Sequence, residues 1–130
     1  MKREYKFIDL FAGCGGLSLG ASRAGFVGKL AIEYQENAFN TLRHNLINSK
    51  RNGIRYKSGA LSFDWPEEIE QKNHDINLFL KEHGTYLKGL RGEIDLIVGG
   101  PPCQGFSNAG KRKEADPRNQ LYKSYLSFVE

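Results

Sequence analysis

The stretch Asp95–Ser107 constrains the fold of this chain more than any other part of its 130 residues. It begins with an apolar run, Leu96–Val98, bounded by an acid and two glycines, which is typical of a fully buried strand in a parallel sheet. Residues that follow such a strand emerge at its carboxyl end, where α/β folds bind ligands. Cys103 lies there, after two prolines that fix φ at about −65° and stiffen the turn. The stretch therefore predicts an α/β fold with one cysteine at its ligand-binding edge.

Cys103 has two interpretations at this point. A thiolate is strongly nucleophilic, and neighbouring dipoles or cations lower its pKa, so a cysteine on a stiff turn suits covalent catalysis. Most free cysteines are instead small buried residues with no reactive role. Gly105 leaves space for a substrate to approach the backbone, but the Pro-Pro-Cys sequence alone does not separate the two.

Composition narrows the class of protein. Hydrophobic residues make up 39% of the chain and charged residues 26%, which indicates one small globular domain rather than a disordered chain. No apolar run is long enough to span a bilayer and no signal peptide is recognisable, so we expect a cytoplasmic protein that does not enter a membrane. The only cysteines are Cys14 and Cys103, which argues against a disulfide framework.

The charge balance is compatible with a polyanionic partner. Nineteen Lys and Arg against 15 Asp and Glu give a net charge of +4 and a pI near 9.1. Many proteins that never contact nucleic acid share an excess of this size. Basic residues do gather after the cysteine, where a backbone phosphate could lie, at Lys111, Arg112, Lys113, Arg118 and Lys123.

A glycine-rich turn near the N-terminus predicts a cofactor site. A strand over Tyr5–Phe11 leads into the turn Ala12–Gly16 and a helix over Leu17–Ala24, which Gly25 ends. This arrangement holds nucleotide-type cofactors, because the glycines keep side chains away while the helix N-terminus directs amides at the ligand. As a bare turn, however, the motif would be commonplace.

An acid at the end of the next predicted strand strengthens the cofactor interpretation. That strand covers Phe26–Ile32, and Glu33 follows it twenty positions after Gly13. An acid at this spacing normally accepts hydrogen bonds from ribose hydroxyls, although a solvated surface glutamate is the plain alternative. Tyr34 beside it either packs on an adenine or belongs to the core.

Helical patterns cover two further segments. Apolar residues every four positions predict a helix over Glu36–Leu46, and a second helical pattern, interrupted by Gly84, covers Ile76–Leu90 before a strand that begins at Ile94. Asp75 caps that second helix or, at the end of a strand, faces the cofactor; the cap is the safer interpretation.

The remaining segments are less regular. Asn45–Gly53 is a polar basic connector, and Ile54–Gln71 contains Trp65-Pro66, which breaks any regular element, so we expect a loop against the sheet with no readable role. Asn108–Asp116 has the composition of a loop that orders on binding, and a closing helix starts near Pro117.

Together these motifs resemble the N-terminal part of the cytosine-5 DNA methyltransferases. Asp9–Leu17 is similar to the family's S-adenosylmethionine loop, His74–Ile76 to its third block, Pro101–Ser107 to its nucleophile block and Asp116–Leu121 to the block after its mobile loop. The resemblance covers nearly the whole chain apart from Asn48–Gln71. It implies a Rossmann-like methyltransferase fold with a partial parallel sheet and flanking helices, residues 1–130 being the N-terminal part of the catalytic domain.

The resemblance also implies roles for individual residues. Cys103 would attack the base, and DNA contacts would come from Gln104, Ser107 and Arg118. Contacts to S-adenosylmethionine would come from Phe11, Ala12, Gly13, Cys14, Gly15, Gly16, Leu17, Glu33, Tyr34, Asp75, Ile76, Pro102 and Leu121. In that set the residues from Ala12 to Leu17 contribute backbone contacts. Glu33 and Tyr34 match the ribose and adenine contacts, Asp75 a hydrogen bond to the adenine amino group, and Ile76 an apolar contact.

The implied reaction transfers a methyl group to C5 of a cytosine in double-stranded DNA. C5 is too electron-poor to take the methyl group unaided, so the Cys103 sulfur first adds to C6 and gives C5 carbanion character; loss of the C5 proton then expels the thiolate. C6 is shielded in a stacked duplex, so the base must be flipped out. The loop Asn108–Asp116 would close over it.

The chain lacks blocks that complete enzymes of this family carry further on. These are a Glu-Asn-Val block whose acid assists at the cytosine ring, an Arg-x-Arg pair, a target-recognition region and a segment that completes the cofactor site. Without that acid, thiolate addition slows by about 10²-fold or more. We therefore expect the chain alone to bind cofactor weakly and methylate little, as a piece of a longer enzyme or as one chain completed by a second chain or by self-association.

Two alternatives keep part of this interpretation. A tRNA cytosine-5 methyltransferase shares the same blocks, although Gly105–Ser107 favours the DNA enzymes. A non-catalytic cofactor-binding or DNA-associating module, in which Cys103 is vestigial, is the other. Metal binding by His44, His74, His83 and the cysteines has no ligand spacing behind it, so no metal is expected.

Overall fold

The computed structural model describes residues 3–47, 63–101, 123 and 127–130. It divides into two compact units, Met1–Gly99 and Gly100–Glu130. The elements of the first unit are β1 (Lys6–Leu10), α1 (Gly16–Arg23), β2 (Val27–Ile32), α2 (Glu36–Leu42), α3 (Ile76–Glu82), α4 (Gly84–Gly89) and β3 (Leu96–Gly99). In the second unit, residues 127–129 are helical. None of the helices in the described ranges is long and apolar enough to cross a membrane.

The described strands form a parallel sheet in the order β2-β1-β3, as an α/β fold requires. Ile8 pairs with Leu30 on one side and with Ile97 on the other. The chain moves outward from β1 to β2 and later returns to the opposite side of β1. In open α/β sheets, ligands bind at the carboxyl ends of strands where the order reverses in this way, which here means the ends of β1 and β3.

One face of the sheet packs against the helices that follow β1 and β2. Side chains alternate along a strand, so Phe7 and Asp9 share this face of β1. The buried cluster around Phe7 consists of Phe7, Ala12, Ala31, Phe39, Leu42, Leu46, Ile47 and Phe63. Each fully buried Phe or Leu contributes about 1.5–3 kcal/mol relative to exposure, so this cluster is a main source of stability.

A glycine in β2 allows one of these aromatic side chains to reach the sheet. Phe63 forms an isolated parallel bridge with Gly28, and the Asp64 amide donates to the Gly28 carbonyl at 2.8 Å. A Cβ on Gly28 would lie 2.4 Å from the Phe63 ring. The segment expected to be a loop against the sheet therefore begins, within its described part, by pairing with β2.

The end of α1 confirms the predicted stop at Gly25. Gly25 has φ +102°, its amide donates to the Ser22 carbonyl at 3.0 Å, and the Phe26 amide donates to the Ala21 carbonyl at 3.1 Å. These two bonds form a Schellman motif, which satisfies carbonyls that the helix end leaves open.

Several predicted boundaries shift. β1 ends at Leu10 rather than Phe11, because Phe11 has φ +56°, outside the β region. The predicted helix Glu36–Leu46 is α2 followed by a wider helical turn, Arg43–Ile47, which also includes the start of the expected connector. The predicted break at Gly84 is confirmed, since α4 begins there.

The prediction of a fully buried strand before the cysteine is wrong in two respects. β3 begins at Leu96 rather than Ile94, and all four of its residues are only partly buried. Within the described part of the chain β3 pairs with β1 alone, so its other edge and its side chains retain exposed surface. An apolar run predicts a strand, but its depth depends on neighbours that the run itself does not contain.

Candidate cofactor site

The turn between β1 and α1 has an unusual backbone. Three residues have positive φ: Phe11 at +56°, Gly13 at +57° and Gly15 at +98°. Glycine adopts such angles freely, whereas for phenylalanine they are uncommon and cost on the order of 1–3 kcal/mol. Such strain persists only where surrounding contacts hold it in place, and it concentrates at functional sites.

Gly15 is required for a second reason. A Cβ at this position would lie 2.9 Å from Leu46 Cδ1 and 3.1 Å from Leu42 Cγ, so a side chain would collide with the leucines packed beneath the turn. At Gly13 and Gly16, by contrast, a Cβ would meet no atom within 4 Å. In the predicted glycine turn, packing therefore requires glycine at Gly15, whereas the space beside Gly13 and Gly16 is unoccupied by protein atoms of the described residues.

Glu33 ties this turn to the end of β2. Its Oε1 accepts from the Gly13 amide at 2.9 Å and its Oε2 from the Gln35 amide at 2.7 Å. The Ala12 amide donates to the Ile32 carbonyl at 3.0 Å beside it. Glu33 is thus partly buried and bonded, and the alternative of a solvated surface glutamate is wrong.

Glu33 retains capacity for a ligand. A carboxylate offers about four acceptor positions, and the two backbone amides occupy one on each oxygen. The side chain is therefore fixed in place by the protein while an acceptor position on each oxygen is left over. The ribose role predicted for Glu33 stays a prediction, and this geometry is compatible with it.

Asp75 caps α3, as the safer of the two interpretations predicted. Its Oδ1 accepts from the amides of Asn77 at 2.8 Å and Leu78 at 3.1 Å. Its Oδ2 and the amide of Ile76 form no hydrogen bond within the described part of the chain. The two features leave an acceptor and a donor side by side at the start of α3.

The start of α3 is also bound to the end of β2. The His74 amide donates to the Glu33 carbonyl at 2.8 Å, and Asn73 Nδ2 donates to the Tyr34 carbonyl at 2.9 Å. Both residues that precede Asp75 thus contact the two residues that follow β2. The structure therefore brings Glu33, Tyr34 and Asp75, three predicted cofactor residues, into one region.

Exposure distinguishes the apolar candidates. Tyr34 is 66% exposed and Leu17 is 53% exposed, so neither belongs to the core, and the core alternative for Tyr34 is wrong. Ile76 is only 4% exposed, which places its side chain in the interior. The apolar contact predicted for Ile76 stays a prediction, and burial leaves little of this residue open to a ligand.

A buried carboxyl beneath the turn was not predicted from the sequence. Asp9 is fully buried on the helix-facing side of β1, and its Oδ2 accepts from the Ser18 hydroxyl at 2.5 Å. Burial raises the pKa of Asp9 from 3.8 to about 6, the hydrogen bonds from the Ser18 side chain and backbone oppose that rise, and the Glu33 charge adds to it. A signal existed: an acid shares the core-facing register of β1 with Phe7.

The remaining site predictions cannot be placed. The nucleophile and its neighbours, Pro102, Cys103, Gln104 and Ser107, and the later residues Arg118 and Leu121 lie outside the described residues. Cys14, in the glycine turn, is exposed. Among the described residues no group of three or more His, Cys, Asp or Glu is arranged to hold a metal ion.

Comparisons with known proteins agree on one family. The model of the C-5 cytosine-specific DNA methylase family matches residues 5–76 and 56–130. The chain is 36% identical over 125 residues to type II methyltransferase M.AgeI of Thalassovita gelatinovora, covering 96% of this chain and 25% of that protein. It is also 36% identical to type II methyltransferase M.HgiGI of Herpetosiphon aurantiacus, covering 95% of this chain and 79% of that protein.

A solved structure supports the fold. An E. coli prophage protein assigned as a DNA modification methyltransferase superposes with a TM-score of 0.61 at 36% identity, covering 97% of this chain and 28% of that one. The chain thus spans about a quarter of the length of M.AgeI and of this structure. By its family model and its relatives, the chain belongs to the C-5 cytosine-specific DNA methylases.

Proposed function

We propose that this chain is the N-terminal catalytic portion of a DNA cytosine-5 methyltransferase that uses S-adenosylmethionine. The observation that carries the proposal is the arrangement at the ends of β1 and β2. A glycine turn, a fixed carboxylate with spare acceptor positions at Glu33, and an unpaired acceptor at Asp75 lie on neighbouring, hydrogen-bonded segments. Family membership supplies the reaction class, and the local geometry supports the cofactor.

The polar groups fit an adenosine. The acceptor positions left on Glu33 suit the two ribose hydroxyls, which are hydrogen-bond donors. Asp75 Oδ2 would accept from the adenine amino group, while the Ile76 amide next to it would donate to the adjacent ring nitrogen. Tyr34, largely exposed beside Glu33, offers an aromatic surface for the adenine.

The glycine turn fits the other end of the cofactor. The first amides of α1 have no intrahelical acceptors, and its N-cap residue, Gly15, has no side chain to accept from them. A helix N-terminus favours negative charge, so the methionine carboxylate would bind there. When bound, the cofactor supplies an electrophilic methyl group on a sulfonium.

Cys103 would be the nucleophile. It follows the last residue of β3 by four positions in the sequence, and β3 pairs with β1, the strand that leads into the glycine turn. Its sulfur would form a bond to C6 of a flipped cytosine, moving an electron pair to C5, which takes the methyl group. Removal of the C5 proton would then restore the ring double bond and break the carbon–sulfur bond.

Covalent trapping tests this proposal. DNA carrying 5-fluorocytosine cannot lose a proton at C5, so the enzyme stays attached after methyl transfer. The chain, supplied with the remaining catalytic blocks of the family, is expected to give a cofactor-dependent covalent complex that survives denaturation. Cys103→Ser is expected to abolish the complex, whereas Cys14→Ser, at the other cysteine of the chain, retains it. A complex that persists in Cys103→Ser contradicts the assignment.

The same experiment separates the alternatives. A tRNA methyltransferase would transfer label to tRNA and not to duplex DNA in a side-by-side assay. A non-catalytic module would bind cofactor and give no covalent complex with either nucleic acid. Double-stranded DNA is the substrate we propose, since the family whose model matches is that of the C-5 cytosine-specific DNA methylases.

The chain spans about a quarter of the length of M.AgeI, and the later blocks of the family are not among the 130 residues of this chain. We propose that the chain either continues into them or binds a second chain that carries them, with self-association as the alternative. The intact mass of the native protein and the identity of proteins that copurify with it distinguish these arrangements. Full activity of the isolated 130 residues would contradict the expectation that they are insufficient.

A further inference from the structure

Asp9 occupies a buried position where a carboxyl group lowers the stability of the fold. It is 0% exposed, and by the alternation of β1 it lies on the same side of the sheet as Phe7, against the helices. Its Oδ1 is buried and has no hydrogen-bond partner within the described part of the chain. Burying a carboxyl with one oxygen unpaired costs free energy that an apolar residue would avoid.

The other oxygen of Asp9 contacts the start of the helix that follows the glycine turn. Oδ2 accepts from the hydroxyl of Ser18, which is also 0% exposed and is the third residue of α1. The N-cap of this helix, Gly15, has left-handed backbone and provides no side-chain cap. The strand thus supplies the helix start with the polar anchor that its own N-cap lacks.

A second buried serine in the same helix shows that burial alone does not produce this contact. Ser22, one turn further along, is 3% exposed, and its Oγ has no partner within the described part of the chain. Ser18 and Ser22 therefore share residue type, helix and burial, and they differ in their contact with Asp9.

We propose that Asp9 and Ser18 are positioning residues for the cofactor: their hydrogen bond fixes the first turn of α1, and so the amides that receive the methionine end. Glu33 holds the turn at Gly13, and Asp9 holds it at Ser18, so the segment between these two points is fixed at both ends. The effect on the cofactor rests on the proposed function; the effect on the turn does not. Neither side chain needs to touch the ligand.

Amide hydrogen exchange on this chain measures how often the turn opens, and it needs no ligand. Removing a hydrogen bond to a charged group typically changes an equilibrium by about 10- to 100-fold. Ser18→Ala is therefore expected to speed exchange of the amides from residue 13 to residue 19 by at least about tenfold relative to the sheet amides. Ser22→Ala, the matched control, is expected to leave those rates unchanged. Equal acceleration in both variants, or in neither, overturns the proposal.

Ligand binding then tests the positioning role. S-adenosylhomocysteine carries both the adenosine and the amino acid end, whereas 5′-methylthioadenosine lacks the amino acid end. Ser18→Ala is expected to lower the affinity for S-adenosylhomocysteine by about tenfold or more, and the affinity for 5′-methylthioadenosine by less than about twofold. Equal losses for both ligands contradict a role at the methionine end. If the unmutated chain binds neither ligand even at the highest soluble ligand concentration, the proposed function fails, while the exchange experiment still decides the role of Asp9 and Ser18.

Discussion

Carboxylates lie at both ends of the sheet that the described strands form, but their hydrogen bonding differs between the two ends. At the amino end, Asp95 accepts from the Arg3 guanidinium on Oδ1 and from the Lys6 amide on Oδ2, and its own amide donates to the Lys6 carbonyl. Both oxygens have protein partners. At the carboxyl end, Asp9 and Asp75 each keep one oxygen unpaired within the described residues.

This difference distinguishes a structural end from a ligand end. Asp95 is paired with a cation, Arg3, whereas backbone amides alone hold Glu33 and Asp75, which form no ion pair within the described residues. Carboxylates that are fixed in place without a cation keep acceptor positions for the donors of a ligand. The amino end therefore belongs to stability and the carboxyl end to binding.

The largest expected effect is on the turn at the carboxyl end. Gly15→Ala places a Cβ in a left-handed backbone and against two leucines, which should lower the free energy of unfolding by about 2–5 kcal/mol. Gly20→Ala, inside α1 where a Cβ meets no atom within 4 Å, should raise it by about 0.5–1 kcal/mol. Urea unfolding of both variants measures the difference, and a neutral Gly15→Ala would show that the turn does not need its observed shape.

The next largest effect is a pH dependence of the free energy of unfolding, which arises from Asp9 at the carboxyl end. The pKa of Asp9 is about 6 in the folded chain and 3.8 when unfolded. The folded state thus holds the proton more tightly, so this contribution to stability is present below pH 3.8 and is lost as the pH rises through about 6. The shift corresponds to at most about 3 kcal/mol.

Asp9→Asn isolates that contribution, because an amide does not titrate. The free energy of unfolding of the original chain, minus that of the variant, should fall as the pH is raised from about 4 to about 7. A difference that stays constant across this range would mean that Asp9 is not buried as the structure places it.

The third prediction compares the effect on ligand affinity of one substitution at each end of the sheet. Glu33→Gln loses the negative charge and one of the two acceptor oxygens that hold Gly13 and Gln35, so affinity for S-adenosylhomocysteine should fall by about 10- to 100-fold. Asp95→Asn should leave that affinity within about twofold and lower stability by about 1 kcal/mol. Calorimetry and thermal unfolding of both variants provide the readouts. Equal losses of affinity would remove the distinction between the ends.

The smallest effect belongs to the outer partner of Asp95. Arg3 is 63% exposed in this ion pair, and it also lies 5.2 Å from the centre of the Tyr5 ring. Exposed pairs of this kind contribute about 0.2–1 kcal/mol and weaken with salt. Arg3→Ala should therefore lower the melting temperature slightly at low ionic strength and less at high ionic strength. A large, salt-independent loss would place the amino end among the main supports of the fold.

Sequence reasoning recovered the parts of the fold that depend on local pattern. The parallel strands, the glycine turn, the stop at Gly25, the break at Gly84 and the cap at Asp75 follow from periodicity and from residues with special backbone preferences. Glu33 was found from its spacing to Gly13, because the length of a strand, turn and helix unit fixes that distance.

The parts that sequence reasoning missed depend on contacts between distant residues. The exposure of β3, the packing of Phe63 against Gly28 and the bond between Asp9 and Ser18 are set by what lies opposite each residue. Ile76 shows the same limit at the site itself: its apolar side chain predicts a ligand contact, but the residues packed around it leave only 4% of the residue exposed.

The most direct test is an NMR titration of the isotopically labelled chain with S-adenosylhomocysteine. Binding at the carboxyl end should shift the amides of Gly13, Gly16, Gln35 and Ile76, while the amides of Lys6 and Asp95 at the amino end stay in place. Shifts confined to the amino end, or none at the highest soluble concentration of the ligand, where even weak binding shifts amides, would contradict the account.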